Sequence, residues 1–408
     1  MVAAHEVDAA ADEPLLPLLL EPAGGVPDVV DAPERVPALV ASLAAGTGPL
    51  AVDAERASGY RYAQRAYLVQ LRRAGAGTVL IDPIGTGDLT VLGAGLQPAE
   101  WILHAASQDL ACLAELGLVP QRLFDTELAA RLLGFPRVAL GTMVAELLGV
   151  RLEKGHSAAD WSTRPLPDAW LAYAALDVEL LIELRDALAA RLDAAGKREW
   201  AEQEFAATLA AAKVAPAARA EPWRRTSGIH QLRTPRQLAA VRALWEARDE
   251  RARARDLAPG RVLPDKAIVS AALTAPADRE ALLTLPIFSG PRMRRSADVW
   301  WNALARAYSL PASALPRMTA RTGDGPPPAN RWAEREPAAA ERLATSRAAV
   351  AALAETLEVP AENLLEPALL RRLAWDPPAD VRAGLADGGA RPWQVDLVAN
   401  SLADAFRA

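Results

Sequence analysis

Apolar residues recur along the chain with two different spacings, and the spacing changes within the first third of the sequence. Three short apolar runs lie between turn-forming residues, which predicts an antiparallel meander of strands. These runs are Leu50–Glu55, Ala66–Leu71 and Thr78–Ile81. Two further short strands, Trp101–His104 and Leu123–Asp125, each precede a helical pattern. A meander followed by alternating strands and helices predicts a mixed sheet flanked by helices.

The remainder of the chain has helical spacing, interrupted by two segments rich in Ala, Pro and Gly. One long helix is predicted from Asp168, after the start signal Pro167, to the region of Gly196. We therefore predict an α/β domain followed by two small all-α domains. The predicted units are a flexible tail at 1–30, the α/β domain at 31–210, a linker at 211–225, a helical domain at 226–312, a linker at 313–335 and a second helical domain at 336–408.

Composition limits the class of protein. A formal net charge of −6 gives no global sign of nucleic-acid binding, so local charge has to carry that argument. Cys112 is the single cysteine, which excludes an intramolecular disulfide and fits a reducing compartment. The leucine-rich run at 15–20 is too short for a signal peptide, and no run reaches the roughly 20 apolar residues of a membrane span. We expect a cytoplasmic protein without membrane contact, and we infer no obligate protein partner.

Two carboxylates lie in the first predicted strand. Asp53 and Glu55 are two residues apart, so their side chains point to the same face of the sheet. Two ionised acids on one buried face repel each other and lose hydration, which is strongly unfavourable without compensation. A divalent cation would resolve this conflict. Taken alone, the pair also fits an edge strand with both carboxylates solvated.

Two more acids occur beside distinctive partners. Asp109 follows His104 by five residues and lies in the first turn of a predicted helix, where it would also complement the helix dipole. Tyr173 and Asp177 are four residues apart and share one helix face. That face alone would equally fit ordinary helix packing with an exposed aspartate.

In order along the chain, the motifs are D-x-E on a strand, H-x-x-x-x-D, and Y-x-x-x-D on a late helix. This order resembles the DEDD exonuclease superfamily, in the subclass with Tyr in the third motif. The surrounding segments Val52–Glu55, Leu103–Leu110, Asp160–Leu166 and Tyr173–Val178 are similar to ribonuclease D. The resemblance covers residues 40–195. It implies a ribonuclease-H-like α/β fold with the acids meeting at one end of the sheet.

The resemblance also implies roles for the five residues. Asp53, Glu55, Asp109 and Asp177 would bind two divalent cations, and Tyr173 would orient the attacking water. Hard carboxylate oxygens suit Mg²⁺ or Mn²⁺. Two such ions would activate the water and stabilise the leaving 3′-oxygen of a phosphodiester. An ordinary tyrosine pKa near 10 makes the hydroxyl unsuited to act as the base itself.

Four residues near this constellation are candidate substrate contacts: His104, Lys154, Trp161 and Arg164. The two cations, Lys154 and Arg164, could meet phosphates. Trp161 could stack on a base or fill the core. His104 fits a position behind the metal ligands better than the role of a ligand.

The helical half carries a second resemblance. Val262–Ile268 and Leu283–Gly290 resemble the HRDC domain, and the final unit resembles a second HRDC-like domain more weakly. A helicase is excluded because the chain lacks a G-x-x-x-x-G-K-[ST] loop. An arginine-rich surface that contacts phosphates is predicted, although Glu246, Asp249 and Glu250 dilute it. Its arginines are Arg242, Arg248, Arg251, Arg253, Arg255, Arg292, Arg294 and Arg295.

Together, the resemblances imply a 3′→5′ exoribonuclease that shortens structured RNA, with tRNA precursors as the substrate class. A 3′→5′ DNA exonuclease with the same carboxylates is the alternative enzyme, because only contacts to the 2′-hydroxyl would separate the two. A non-catalytic scaffold that binds nucleic acid is the alternative from another class.

Overall fold

The computed structural model describes residues 16–153, 155–156, 158–214, 219–318 and 325–407. The strands are β1 Leu18–Leu19, β2 Val29–Val30, β3 Thr47–Arg56, β4 Ala66–Ala74, β5 Gly77–Ile81, β6 Glu100–Leu103, β7 Arg122–Asp125 and β8 Arg151–Leu152. The helices of the first domain are α1 Val36–Ala45, α2 Pro83–Thr86, α3 Thr90–Leu96, α4 Leu110–Ala114, α5 Thr126–Leu132, α6 Leu140–Leu148, α7 Asp168–Glu179, α8 Leu181–Ala194 and α9 Arg198–Ala212.

Six strands form one mixed sheet in the order β2-β5-β4-β3-β6-β7. Strands β3, β4 and β5 pair antiparallel, whereas β6 and β7 continue the sheet parallel to β3. The predicted mixed sheet flanked by helices is therefore confirmed. The two halves differ because short turns connect antiparallel neighbours, while parallel neighbours need a crossover that includes a helix.

Strand β3 lies inside this sheet, between β4 and β6. Its residues 50–52 are fully buried, since helices cover the sheet. Helix α7 packs against β3, β4 and β5, and α8 packs against β3 and β6. The single long helix predicted from Asp168 is in fact these two helices, because the backbone of Leu180 leaves the helical region. The break lets each helix cover a different part of the sheet.

The prediction of a loosely ordered tail at 1–30 is wrong for its described part, residues 16–30. Strand β1 pairs with β8, and β2 pairs with β5 at the edge of the main sheet. Val30 is buried there. Two-residue strands are too short for a periodic signal, and their backbone hydrogen bonds depend on partners far along the chain.

The helical half forms two units that share a succession of helices: a long helix, a single turn, a medium helix, one or two shorter helices and a final longer helix. One further short helix precedes this succession in the second unit. The first has α10 Pro235–Ala254, α11 Pro259–Val262, α12 Asp265–Thr274, α13 Arg279–Thr284, α14 Pro291–Arg294 and α15 Ala297–Tyr308. The second has α16 Trp332–Arg335, α17 Pro337–Thr356, α18 Ala361–Leu364, α19 Pro367–Trp375, α20 Val381–Asp387 and α21 Pro392–Arg407. Within the described ranges, no helix is both long and apolar enough to cross a membrane.

Two tryptophans that the sequence places in linkers are buried in the helical units. Trp223 lies in the core of the first unit together with Leu244 and Trp300. Trp332 is fully buried in the core of the second unit, and its indole N–H donates to the carbonyl oxygen of Pro327 at 2.8 Å. Each helical unit therefore begins earlier than the predicted boundaries at 226 and 336.

The cores of the three units are not equally separate. The first helical unit has a core of its own. The apolar residues of the second helical unit form one continuous buried cluster with those of the α/β domain. The last part of the chain is therefore packed onto the α/β domain as part of a shared core.

Candidate active site

Three of the predicted acids meet at the end of the central strand. Carboxylate oxygens of Asp53, Glu55 and Asp177 lie within 4.8 Å of one another. Asp53 and Glu55 share one face of β3, and α7 crosses that face and brings Asp177 to it. Such an oxygen-only donor set suits a hard divalent cation.

The fourth predicted acid, Asp109, lies beside this cluster with a partner of its own. Its Oδ1 is 3.3 Å from Nη2 of Arg56, the residue that follows Glu55. Asp109 is buried after the 3₁₀ turn at 106–108, which continues the chain beyond β6. Because β6 runs parallel to β3, the carboxyl ends of both strands lie at the same edge of the sheet. This topology brings the H-x-x-x-x-D motif to the D-x-E motif.

Burial dominates the electrostatics of the four acids. It raises the pKa of Asp53 to about 6 and that of Asp109 to about 8. Burial raises the pKa of Glu55 to about 10, and the charges of Asp53, Asp177 and Asp109 add to the effect. Burial also raises the pKa of Asp177 well above its usual range, Asp53 adds to this, and a hydrogen bond from Tyr173 opposes it. Four ionised carboxylates are thus unfavourable here unless positive charge compensates them. A bound cation would provide that charge.

Tyr173 is held within a cluster of aromatic side chains. Its ring lies edge-on to His156, with ring centroids 5.7 Å apart, and 6.5 Å from the ring of Trp161. Burial raises the pKa of Tyr173 above its ordinary value, and the charge of Asp177 adds to the effect. The hydroxyl therefore stays neutral and can orient a water molecule by hydrogen bonding, as the resemblance implies.

Asp125 positions the loop that carries Asp109, a role that sequence reasoning missed. Its Oδ2 accepts from the backbone N–H of Ala106 at 2.8 Å, and its Oδ1 accepts from that of Ala105 at 3.1 Å. Ala105 has a φ of 60°, a left-handed conformation that is unfavourable for alanine and needs such support. Asp125 also caps α5 through the N–H of Glu127. An aspartate directly before a helix is the sequence signal for such a cap, but no local signal indicates the bonds to residues 105 and 106.

Of the four predicted substrate contacts, Trp161 is a core residue. Its side chain is fully buried and packs with Leu68, Ala174 and Ala175. A fully enclosed indole cannot stack on a nucleotide base, so the substrate-binding prediction is wrong for this residue. Its packing against Tyr173 instead helps to hold the aromatic cluster in place.

The prediction of phosphate contact is also wrong for Arg164. Its guanidinium forms two hydrogen bonds with Asp82, at 2.6 and 2.8 Å, and further bonds with the carbonyl oxygens of Tyr67 and Trp161. The guanidinium N–H groups that would bind a phosphate in a bidentate manner are therefore already bound to the Asp82 carboxylate. Arg164 therefore joins the segment at 160–166 to the sheet.

The other two candidates have different outcomes. His104 is mostly buried, and its Nδ1 lies 2.9 Å from Oγ1 of Thr126. Burial lowers the pKa of His104 to about 4, so the ring is neutral at pH 7 and offers no charge to a phosphate. The contact with Thr126 agrees with the prediction that His104 lies near the acids without being a metal ligand. It does not agree with the prediction that His104 contacts the substrate. Lys154 lies outside the described residues.

The arginine-rich surface of the first helical unit is reduced but present. Arg248 is buried, bonding to Asp265 and to the carbonyl oxygen of Leu263, and therefore cannot contact phosphates. Arg251 lies near Arg255 and Arg292; burial lowers its pKa, and those two charges lower it further. Arg255, Arg292, Arg294 and Arg295 are exposed. The exposed part of the predicted arginine-rich surface is centred on these residues.

Comparison with known proteins finds a family match in each of the three units. Three family profiles match the chain: 3′-5′ exonuclease at residues 27–193, HRDC domain at 237–304, and 3′ to 5′ exonuclease C-terminal domain at 325–406. Ribonuclease D of Acidiphilium cryptum is 34% identical over 82% of this chain and 85% of that protein. Ribonuclease D of Escherichia coli is 33% identical over 68% of this chain and 74% of that protein.

Two solved structures extend the likeness to the whole fold. A protein from Bifidobacterium adolescentis is 39% identical, with a TM-score of 0.87 over 96% of this chain and 100% of that chain. The Escherichia coli RNase D structure, described as an exoribonuclease involved in structured RNA processing, is 26% identical. Its TM-score is 0.68 over 93% of this chain and 98% of that chain. The extent of these matches, together with an exonuclease acid cluster on the predicted strand and helix, shows that the chain belongs to the ribonuclease D family.

Proposed function

We propose that the protein is a 3′→5′ exoribonuclease that removes nucleotides one at a time from the 3′ ends of structured RNA, with tRNA precursors as its substrate class. The observation that carries the proposal is the convergence of Asp53, Glu55 and Asp177 beside Tyr173. Family membership supports the same reaction, because the curated relatives are ribonucleases D.

Each residue of the site has a definite task in this proposal. Asp53, Glu55 and Asp177, together with Asp109 at the side of the cluster, would supply the oxygen ligands for two divalent cations, Mg²⁺ or Mn²⁺. Such cations supply a nucleophilic water at neutral pH and neutralise charge at the scissile phosphate. The Tyr173 hydroxyl orients that water as a neutral hydrogen-bonding group. Arg56 holds Asp109 in place, and Asp125 fixes the turn before it.

The exposed arginines of the first helical unit provide a second contact with RNA in this proposal. The exposed Arg255 and Arg292 both repel the charge of Arg251 in the free protein. Phosphate groups would relieve this repulsion and release counterions from the RNA, which makes binding depend on salt. A substrate that reaches both this surface and the acids would have a structured body and a free 3′ end.

A direct assay tests the reaction and the site together. RNA labelled at its 5′ end and carrying a 3′-extended tRNA sequence should give a ladder that shortens from the 3′ end with Mg²⁺ or Mn²⁺, and no products in EDTA. Substituting a residue that only hydrogen-bonds to a metal ligand typically lowers activity by up to roughly 100-fold. Because Asp53 is proposed to be a ligand itself, Asp53→Asn should lower turnover by more than this. RNA binding, measured by fluorescence anisotropy, should persist in this variant. Turnover by Asp53→Asn at the wild-type rate would contradict the ligand role.

Matched single-stranded DNA in the same assay separates the alternatives. Faster shortening of DNA than of RNA would favour a DNA exonuclease, because the acids are common to both reactions. RNA binding without shortening under either metal would favour the scaffold.

A further inference from the structure

Gln70 lies on the face of the sheet that carries the acid cluster. Gln70 is fully buried on β4, and neither its amide nitrogen nor its carbonyl oxygen forms a hydrogen bond with any residue that the structure describes. A buried polar group without a partner lowers the stability of the fold, and this side chain contributes two such atoms. An apolar residue of the same size would avoid the loss.

Strand register places this amide next to a proposed metal ligand. Gln70 is directly opposite Asp53 in the antiparallel ladder between β3 and β4, and Leu68 is opposite Glu55. Side chains that are opposite each other in such a ladder point to the same face, with Cβ atoms about 5 Å apart. Gln70 therefore projects to the face that carries the acid cluster and is covered by α7.

Some polar groups near Gln70 do have partners on α7. Arg72, two residues along β4, lies 3.0 Å from the carboxylate of Glu179 on α7. Thr78 donates to the same carboxylate at 3.1 Å. Nε of Arg72 and the hydroxyl of Tyr67 have no partner among the described residues, so the packing of α7 satisfies these polar groups only in part. Gln70 differs from them in that both of its polar atoms lack such a partner and that it lies opposite Asp53.

We propose that Gln70 is a positioning residue for the proposed metal site: once a cation is bound, its amide N–H donates to the Asp53 carboxylate oxygen that faces away from the cation. This inference rests on the proposed function. Ligating carboxylates commonly need such a donor, because a fixed outer oxygen holds the inner oxygen in its binding geometry. A glutamine suits the task, since its amide stays neutral while the surrounding acids change their charge.

The test compares Gln70→Met with the wild type in the full-length protein. Methionine keeps the unbranched shape and the volume but removes both unpaired atoms. We expect an equal or higher melting temperature in EDTA, because the buried polar groups are gone. We also expect Mn²⁺ affinity, measured by calorimetry, to fall by about 10-fold or more. The kcat for RNA should fall with an unchanged KM.

Ser346→Ala is the matched control. Ser346 is fully buried on α17, and its hydroxyl has no partner among the described residues. Its substitution should leave the melting temperature equal or higher while Mn²⁺ affinity and kcat stay at the wild-type values. If removing any unpaired buried polar atom lowered Mn²⁺ affinity or kcat, the loss would appear in Ser346→Ala as well as in Gln70→Met.

Each outcome decides between clear alternatives. Wild-type Mn²⁺ affinity in Gln70→Met would overturn the proposal. Loss of the fold in EDTA in Gln70→Met or in the shorter amide variant Gln70→Asn would assign the amide a structural hydrogen bond and overturn it as well. Absence of Mn²⁺ binding in the wild type would instead reject the proposed function, because the metal site itself would be missing.

Discussion

At the scale of single residues, the site consists of ionisable groups placed where burial opposes their charge. Glu55, Asp109 and Asp177 all have raised pKa values for this reason. The fold tolerates them in the metal-free protein by keeping protons bound. Stability and metal binding should therefore be coupled through these carboxylates.

The first prediction concerns the stability of the metal-free protein between pH 6.5 and 8. In this range the folded protein keeps protons on Glu55 and Asp109, with pKa values of about 10 and 8, whereas the unfolded chain has lost them. The stabilising effect of a raised carboxyl pKa is complete below the ordinary value near 4 and disappears as the pH rises through the folded value. For each proton that the folded protein binds and the unfolded chain does not, the unfolding free energy in EDTA should fall by about 2 kcal/mol between pH 6.5 and 8.

Chemical denaturation in EDTA at several pH values would measure this slope. His104 opposes this fall only near pH 6.5: its folded pKa is lowered to about 4, whereas the unfolded side chain titrates near 6.5 and still binds about half a proton there. Its contribution over the interval is a rise of less than about 0.5 kcal/mol. Asp109→Asn should reduce the slope, and saturating Mg²⁺ should remove most of it. A stability that rises from pH 6.5 to 8 in EDTA would contradict the prediction.

The second prediction concerns the hydroxyl of Tyr173. Tyr173→Phe retains the ring and its packing against His156 and Trp161 but loses the group that would orient water. We expect kcat to fall by about 100-fold, as for the loss of other positioned hydrogen-bond donors, with KM for RNA nearly unchanged. The melting temperature should stay within about 2 °C, since the apolar packing is intact. A large fall in melting temperature would show that the hydroxyl supports the fold.

At the scale of elements, one loop joins the active-site strand to the first helical unit. This exit loop, residues 57–65, begins directly after Arg56. Arg261 donates to the carbonyl oxygen of Gly59 at 2.8 Å, with its guanidinium 3.9 Å from the centre of the Tyr60 ring. On the other side, Arg61 donates to the hydroxyl of Ser162 at 2.7 Å. The helical unit and the segment at 160–166 therefore hold the loop from both sides.

The third prediction follows from these contacts. Arg261→Ala should lower kcat by about 10-fold even for a dinucleotide RNA that is too short to reach the arginine surface, because small displacements of a site have large effects on rate. Arg292→Ala is the control, since Arg292 is exposed and lies near Arg251. It should weaken binding of long RNA and leave the dinucleotide unaffected. Equal dinucleotide rates in all three proteins would show that the helical unit acts through RNA binding alone.

Elements also show how far sequence reasoning reaches. Strands β3 to β7, the D-x-E pair and the Tyr173–Asp177 face follow from local periodicity, and they were predicted. The role of Arg164 was not, because Asp82, its partner, is 82 residues away and pairing at that separation leaves no local pattern. The positions of Trp161 and Gln70 could not be assigned either. Whether a given Trp or Gln is buried or exposed depends on tertiary packing, which the local sequence does not specify.

At the scale of the whole molecule, the last helical unit completes the α/β domain. Lys197 donates to the carbonyl oxygens of Leu132 and Leu357, at 2.8 and 2.6 Å. Gly134 has a φ of +78°, and a Cβ atom there would lie 2.6 Å from the carbonyl oxygen of Glu358. Such a close approach of two backbones requires glycine. Sequence reasoning treated the last unit as separate, because the residues of this interface show no periodic pattern.

The final prediction tests whether this shared core is needed for the fold. Trp393 stacks on Trp200, with ring centroids 4.8 Å apart, and its indole N–H donates to Glu204 at 2.9 Å. Trp393→Ala removes a buried ring and one partner of a buried carboxylate, so the unfolding free energy should fall by about 3–5 kcal/mol. Arg382→Ala breaks only an exposed ion pair with Asp396 and should change it by less than about 1 kcal/mol.

Limited proteolysis then distinguishes a shared core from a separate domain. If the core is shared, Trp393→Ala should expose sites in the α/β domain as well as in the last helical unit, and activity should be lost at the temperature at which both are cleaved. Cleavage confined to the last unit, with a fully active and protected α/β domain, would contradict this and show that the two fold independently. The acids of the active site lie on β3 and α7, whose packing belongs to the α/β domain. A loss of activity in Trp393→Ala would therefore show that this distant interface maintains the geometry of the active-site end of the sheet.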